Sequence, residues 1–384
     1  MSSPPPSARY DAFVITAPGL EALAAAELGS LGVRNARATE GGVTLSATRR
    51  TLYDANLHLR TASRVVVRAA EFGATAFHEL ERRTRKVPWE SFVSPNLPVT
   101  LRVTCRKSRL YHSDAVAERV AGAIASRVAS AQFTGDTSDT DDERDLPNQL
   151  ILVRLQHDRC MISVDSSGPL LHRRGYRQAL AKAPIRETLA AATLIASGWH
   201  AQGPLLDPMC GSGTIPIEAA LMARRIAPGL RRTFAFEQWP DFDANEWRAA
   251  REAAEADVLE RSPVRIIGSD RDAGAIEAAI ANATRAGVDR DVELTRRPVS
   301  AIDPPSEVGW LVSNPPYGVR VGEVDRLRNL YAQLGKVARV RCPGWQLALV
   351  SASPALERQL GIRTIPVVRT TNGGIKVRVV AGQV

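Results

Sequence analysis

The chain has 384 residues, 44% of them hydrophobic, which is more than one ordinary domain and enough core for two or three without disulfide or metal staples. Its formal charge of +9 favours an anionic partner, although a basic protein can carry such charge idly and charge says nothing about fold. The four cysteines, Cys105, Cys160, Cys210 and Cys342, are scattered without CxxC spacing, which argues against a zinc site or a disulfide framework.

The chain opens on Met1-Ser2-Ser3-Pro4-Pro5-Pro6, read as a disordered lead-in with no apolar signal segment. No run of membrane-spanning length follows, so a cytoplasmic protein is expected. Residues 12–16 read as a strand, 20–28 as a helix after Pro18-Gly19, 43–46 as a strand opened by Gly41-Gly42, and 51–60 as a helix. Val65-Val66-Val67 is again strand-like, giving a small α+β unit that ends near residue 70. A second unit follows: a strand at 98–104, a helix at 114–128, and two strands at 150–155 and 160–164 forming a hairpin around His157-Asp158. The acidic, Ser/Thr-rich stretch 135–145 is expected to be a mobile loop turned away from any nucleic acid.

From Asp165 the texture changes. Residues 184–195 predict a helix with Pro184 in its first turn. Strand-loop-helix segments then recur: Leu205-Leu206 into a glycine-rich loop, 264–268 into a helix from Ala273, and 309–313 into a proline-rich loop, with 345–350 as another buried strand. Continuous apolar strands separated by helices indicate a mainly parallel sheet covered on both faces, running from about residue 166 to the end. An insertion at 228–262 carries Phe234, Phe236, Trp239 and Trp247, which are expected to fix a surface helix against that sheet rather than stack on a base.

Two loops carry the chemistry. Asp207-Pro208-Met209-Cys210-Gly211-Ser212-Gly213-Thr214 leaves a strand and enters a helix at 215–224. Gly211 and Gly213 allow tight backbone geometry and close approach of a ligand, and the helix N-terminus favours a carboxylate or other polar group. A GxGxxG dinucleotide site is disfavoured because Pro216 stands at the third glycine, and a phosphate P-loop because its lysine is missing. Cys210 is read as packing, since no base is placed beside it. Asp270 ends the next strand, where a carboxylate can accept hydrogen bonds from ribose hydroxyls; Arg271 lies beside it and Asp272 suits a helix cap.

Ser313-Asn314-Pro315-Pro316-Tyr317-Gly318 is the second loop. An exocyclic base NH2 is a weak nucleophile because its lone pair is delocalised. The Asn314 side-chain oxygen and the Pro315 carbonyl can each accept one of its N–H bonds, pinning the nitrogen and stabilising charge that develops during methyl transfer. Pro315 and Pro316 stiffen the loop, and Tyr317 can stack on the base.

These motifs resemble the THUMP-containing class I RNA methyltransferases of bacteria, enzymes that use S-adenosylmethionine to make N2-methylguanosine, over nearly the whole chain. Ser167-Gly168, Leu171-His172 and Arg174-Gly175-Tyr176-Arg177 resemble the family's opening segment; Ala183-Pro184 and 187–192 resemble its first methyltransferase helix. Leu330-Tyr331, Leu334-Gly335, Gly344-Trp345 and Asn372-Gly373 resemble later landmarks, and Lys107-Ser108-Arg109-Leu110-Tyr111-His112-Ser113 the THUMP signature. The resemblance implies a Rossmann-like class I methyltransferase domain at 166–384, behind an α+β RNA-binding region made of a ferredoxin-like domain at 1–70 and a THUMP domain at 71–165. It places the methionine contact at 207–214, the ribose contact at Asp270, and catalysis at 314–318.

Two basic clusters would position phosphates: Arg82, Arg83, Arg85 and Lys86, and then Arg102, Arg106, Lys107 and Arg109. Tyr111 and His112 read equally well as packing residues. The region expected to hold the cofactor adenine reads Leu294-Thr295-Arg296-Arg297-Pro298-Val299, with no acid where many relatives have one; Asp303 comes later, out of register. The expected function is guanosine-N2 methylation of structured RNA, 23S ribosomal RNA ahead of tRNA, with no obligate protein partner called for. Adenine N6 shares the Asn-Pro-Pro-Tyr motif and stays open, as does a non-enzymatic assembly protein on the same scaffold.

Overall fold

The computed structural model describes residues 9–95, 97–135, 148–178, 185–317 and 324–384. The prolines of the lead-in, most of the expected acidic loop, Ala183, Pro184 and Gly318 lie outside them.

The first half builds one sheet. It comprises β1 (Tyr10–Thr16), α1 (Glu21–Ser30), β2 (Arg37–Thr39), β3 (Gly42–Ala47), α2 (Arg49–His58) and β4 (Ala62–Gly73), followed by α3 (Phe77–Thr84), β5 (Val99–Arg106), α4 (Ser113–Ala125), β6 (Phe133–Gly135), β7 (Gln149–Gln156) and β8 (Arg159–Asp165). Eight strands join in the order β2-β3-β1-β4-β8-β7-β5-β6. The sequence pattern ends β4 at three valines and separates two units there. The strand in fact runs 12 residues, pairing with β1 through its first part and with β8 from Val66 onward. Its second part is half exposed and loses its apolar alternation, so the partner strand holds it, not its own composition. The hairpin between β7 and β8 turns where expected, with His157 and Asp158 at φ of 52° and 61°, the left-handed pair of a two-residue turn.

The second half comprises α5 (Glu187–Ala196), β9 (Leu205–Asp207), α6 (Thr214–Ala223), α7 (Ala244–Ala256), β10 (Ile266–Asp270), α8 (Ala273–Ala286), β11 (Val292–Arg296), β12 (Trp310–Ser313), α9 (Val324–Arg341), β13 (Gln346–Ser351), α10 (Pro354–Gln359), β14 (Ile365–Asn372) and β15 (Ile375–Gln383). Its strand order is β11-β10-β9-β12-β13-β15-β14; β11 through β13 are parallel, and the terminal hairpin runs antiparallel to them. The chain leaves β9 toward β10 on one side and returns to β12 on the other. That reversal opens a crevice at the carboxyl ends of these strands, where ligands bind in open α/β sheets. The three loops that leave there are 207–214, 270–272 and 314–317. The apolar helix α6 is buried on all sides except at Met222, as its place between α5, α8 and the sheet requires.

The aromatic insertion differs from expectation. Phe234, Phe236, Trp239 and Trp247 are core residues, but they pack into the first half rather than onto the second sheet. Tyr53 stacks on Phe236 at 4.5 Å, Trp239 meets Phe92 edge-on at 5.1 Å, and the Trp239 indole donates to the Gln149 amide at 2.7 Å. An insertion in one domain thus completes the core of the other. Arg174 adds a polar tie: it is buried, donates to the Arg60 carbonyl at 2.6 Å and lies 3.7 Å from Glu218 on α6.

Candidate active site

Glycine conformation shapes the first loop. Gly211 and Gly213 take positive φ of 53° and 83°, and Gly213 stands immediately before α6. A Cβ at Gly213 would come within 3.0 Å of Ala279 on α8, so only glycine fits there without displacement. Pro216, which breaks the dinucleotide pattern, packs where Gly268 of β10 leaves room: a Cβ at Gly268 would meet Pro216 at 3.0 Å and Leu294 at 2.8 Å. The close helix–strand contact is kept, with the small residue moved to the strand.

Asp207 is fully buried and accepts hydrogen bonds from the Ser313 hydroxyl at 2.6 Å and the Met209 amide at 3.1 Å. Burial pushes its carboxyl up to about 7; the two hydrogen bonds pull it down and nearby Asp270 pushes it up. Asp270 is half-buried and accepts one backbone N–H on each oxygen, from Gly211 at 3.1 Å and from Asp272 at 3.0 Å. These bonds fix its plane, and each carboxylate oxygen keeps a lone pair for a hydroxyl. Asp272 caps α8 by accepting from Gly274 and Ala275. Arg271 is exposed beside this site. Pro208 and Thr214 are buried supports of the loop, and Met209 is half-buried. Cys210 is buried and its thiol is pushed well up by burial and by both aspartates, the opposite of an activated nucleophile.

The second loop is tied at both ends. Ser313 is bonded to Asp207, and the Tyr317 hydroxyl accepts from the Asn372 amide at 2.9 Å. Between them Pro315 is buried and Pro316 exposed. Asn314 holds its Oδ1 out of solvent with no hydrogen-bond partner. A buried carbonyl oxygen left without a donor costs about 1–3 kcal/mol, so an acceptor kept in that state beside a ligand crevice is suited to a donor brought by the substrate. In the sequence Asn372 is only a landmark of the family resemblance. Its task as an anchor of Tyr317 depends on a contact across 55 positions that no local pattern encodes.

Asp303 lines a cavity of about 140 Å³ with Arg265, Ser269, Glu293 and Arg297. The backbone N–H of Arg297 donates to the Asp270 carbonyl at 2.9 Å, and Pro298 is exposed. Arg82, Arg83, Arg85, Lys86, Arg106, Lys107 and Arg109 are all exposed, on or just beyond α3 and at the end of β5. Arg85 pairs with Glu81, and Arg109 lies 3.6 Å from Asp158. Tyr111 is 67% exposed and leans on His112 at 4.1 Å, so neither residue packs into the core.

The residues present fit S-adenosylmethionine. A glycine turn opens onto a helix N-terminus, a carboxylate plane is fixed at the end of the neighbouring strand, and a buried unpaired acceptor lies on the loop after the third. The fold and this arrangement define a class I S-adenosylmethionine-dependent methyltransferase behind a front half of its own. Residues 174–381 match the family described as RMKL-like, methyltransferase domain; residues 11–66 match the RlmL ferredoxin-like domain and 74–165 the THUMP domain. The chain belongs to the RMKL-like methyltransferase family. It is 36% identical to a candidate RNA methyltransferase of Synechocystis sp., over 94% of each chain. It is 39% identical to the ribosomal RNA large subunit methyltransferase K/L of Syntrophotalea carbinolica, over 95% of this chain and 52% of that one. The chain therefore spans about half the length of the K/L relatives it matches. Among solved structures, SMU.472, a candidate methyltransferase complexed with S-adenosylhomocysteine, superposes with a TM-score of 0.86 at 28% identity, covering 97% of this chain and 98% of that one.

Proposed function

We propose that this chain transfers a methyl group from S-adenosylmethionine to the exocyclic N2 of guanosine in RNA, with 23S ribosomal RNA as its substrate. The observation that carries the chemistry is the buried, unpartnered Oδ1 of Asn314 on a loop anchored at Ser313 and Tyr317. When bound, the cofactor supplies an electrophilic methyl group. Asn314 Oδ1 and the Pro315 carbonyl accept the two N–H bonds of the target amine, which holds its nitrogen in line and disperses the positive charge that grows on it. The proton is lost after transfer, when the amine has become acidic, so no strong base is required. Tyr317, steadied by Asn372, supplies the stacking face. Asp270 orients the cofactor ribose, with Arg271 beside it, and the 207–214 loop receives the methionine end.

The choice of ribosomal RNA rests on the K/L relatives, and the exposed basic residues of α3 and the β5 end are suited to placing phosphates without reading bases. Such a substrate puts the enzyme in the cytoplasm; among the described residues no helix is long and apolar enough to cross a membrane. The test is methylation of separate unmodified 23S rRNA and tRNA pools with labelled cofactor, followed by nucleoside analysis. Label in N2-methylguanosine from 23S rRNA is expected. Label confined to tRNA, or recovered as N6-methyladenosine, would overturn the substrate, and no transfer to either pool would overturn the enzymatic reading.

A further inference from the structure

A second basic feature stands apart from the THUMP arginines. Where the chain crosses from the first sheet to the second, Arg173, Arg231, Arg232 and Arg251 line an open cleft of about 530 Å³ together with Gly175 and Thr233. Arg231, Arg232 and Arg251 are held largely by backbone carbonyls. Arg232 donates to the Leu170 carbonyl at 2.9 Å and the Ser167 carbonyl at 3.2 Å, and its Nε is buried without a partner. Arg231 donates to the Arg285 carbonyl, and Arg251 to the Leu230 carbonyl at 2.8 Å. Carbonyls hold a guanidinium in place without cancelling its charge. Arg251 also lies 3.7 Å from Glu255, an acid that is 58% exposed. Burial and the neighbouring Arg174, Arg64 and Arg173 press the Arg232 guanidinium down to about 9, against the pull of Asp165. Burial, with Arg186, Arg177, Arg174 and Arg173, pushes nearby His172 down to about 3. Fixed positive charge of this density is complementary to an anion, and the open shape suits a chain that passes through rather than a small enclosed ligand.

We propose that this cleft binds backbone phosphates of the RNA substrate, a grip separate from the THUMP surface; the assignment rests on the RNA methyltransferase reading above. Arg231 contacts the last turn of α8, whose first turn follows Asp270, and a helix of 14 residues spans about 20 Å. The cleft therefore meets RNA flanking the target nucleotide, and its changes act on RNA affinity while leaving the methyl-transfer step alone.

Thr233 is exposed and offers a clean probe. With unmodified 23S rRNA transcript and the full chain, Thr233→Glu should raise Kd about tenfold at 0.1 M salt and Thr233→Lys should lower it. Arg231→Gln should weaken binding and reduce the slope of log Kd against log salt by about one, as expected for one lost phosphate contact. The kcat at saturating RNA and the S-adenosylmethionine Kd should match the parent in each, which also reports an intact fold. Parent-like RNA affinity and salt slope in both Thr233→Glu and Arg231→Gln, in a protein that methylates RNA, would overturn the cleft alone. A parent that neither binds nor methylates RNA would overturn the cleft together with the reading beneath it. Binding of ATP or pyrophosphate that Thr233→Glu abolishes, with RNA affinity unchanged, would assign the cleft to a small free anion and overturn its assignment to RNA.

Discussion

Replacing Asn314 by alanine should move activity and stability in opposite directions. Its Oδ1 is out of solvent and has no hydrogen-bond partner, so truncation breaks no bond to that oxygen in the free protein. It also relieves part of a desolvation penalty of about 1–3 kcal/mol. Against this, some packing is lost, so stability should be unchanged or higher by about 1 kcal/mol, a rise in Tm of roughly 2–4 °C for a domain near 200 residues. In the proposed reaction the same oxygen would face an amine that is becoming cationic in the transition state. Loss of one preorganised hydrogen-bonding group of this kind costs about 2.7–4 kcal/mol, or about 10²–10³ in kcat. Single-turnover transfer of labelled methyl to 23S rRNA, thermal unfolding and cofactor titration would be run on parent and variant. A kcat within twofold of the parent would refute the proposed role. So would a Tm lowered by more than about 5 °C, because Asn314 would then be holding the loop together rather than waiting for substrate.

Three other outcomes follow from the same geometry. Asp207, raised from 3.8 to about 7, keeps in the folded state a proton that the unfolded chain releases. Its stabilising contribution is therefore complete below about pH 4 and is lost as pH rises to about 7, by about 4 kcal/mol at most. Glu187, also raised to about 7 by burial, acts in the same direction, so Tm should fall between about pH 4 and 7; Asp207→Asn should flatten part of that fall, and an unchanged profile would count against it. Asn372→Ala and Tyr317→Phe should each lower kcat about fivefold, the worth of one hydrogen bond, without adding in the double variant; additive losses would mean that the two residues act separately. Deleting residues 1–165 strips the partners of Phe234, Phe236, Trp239 and Trp247, and the remainder should aggregate; a soluble monomer with parent-like cofactor affinity would show that the halves fold independently.

The parts of the site that could be read in the sequence are those whose geometry is local. The glycine turn, Asp270 at its strand end, the Asp272 cap and the Asn314-Pro315 acceptor pair each lie within a few residues of the backbone they shape, and composition records them. The hairpin at His157-Asp158 is legible for the same reason. What stayed hidden depends on distant partners. The later part of β4 is a strand because β8 lies beside it, not because its residues alternate. The aromatic residues of the insertion announce burial but not their partners; Tyr53, Phe92 and Gln149 come from the first half of the chain.

The hidden contacts explain why the legible ones work. An Asn-Pro-Pro-Tyr loop alone is two prolines and a pair of acceptors, and a flexible loop would spend binding energy on ordering itself before it could hold an amine. Here the ordering is done in advance. Ser313 ties the loop's start to Asp207, which belongs to the cofactor loop, and Asn372 ties its end to the terminal hairpin. Asn314 sits between two fixed points with its acceptor unspent. The Ser313–Asp207 bond also joins the two loops, so on the proposed reading the positions of the amine and of the methyl donor would be set by one contact. Ser313→Ala should therefore lower kcat more than it raises the Kd of either ligand, because it leaves both loops in place and loosens only their registration. A variant that lost cofactor affinity and kept kcat would place the role of Ser313 in the cofactor loop alone.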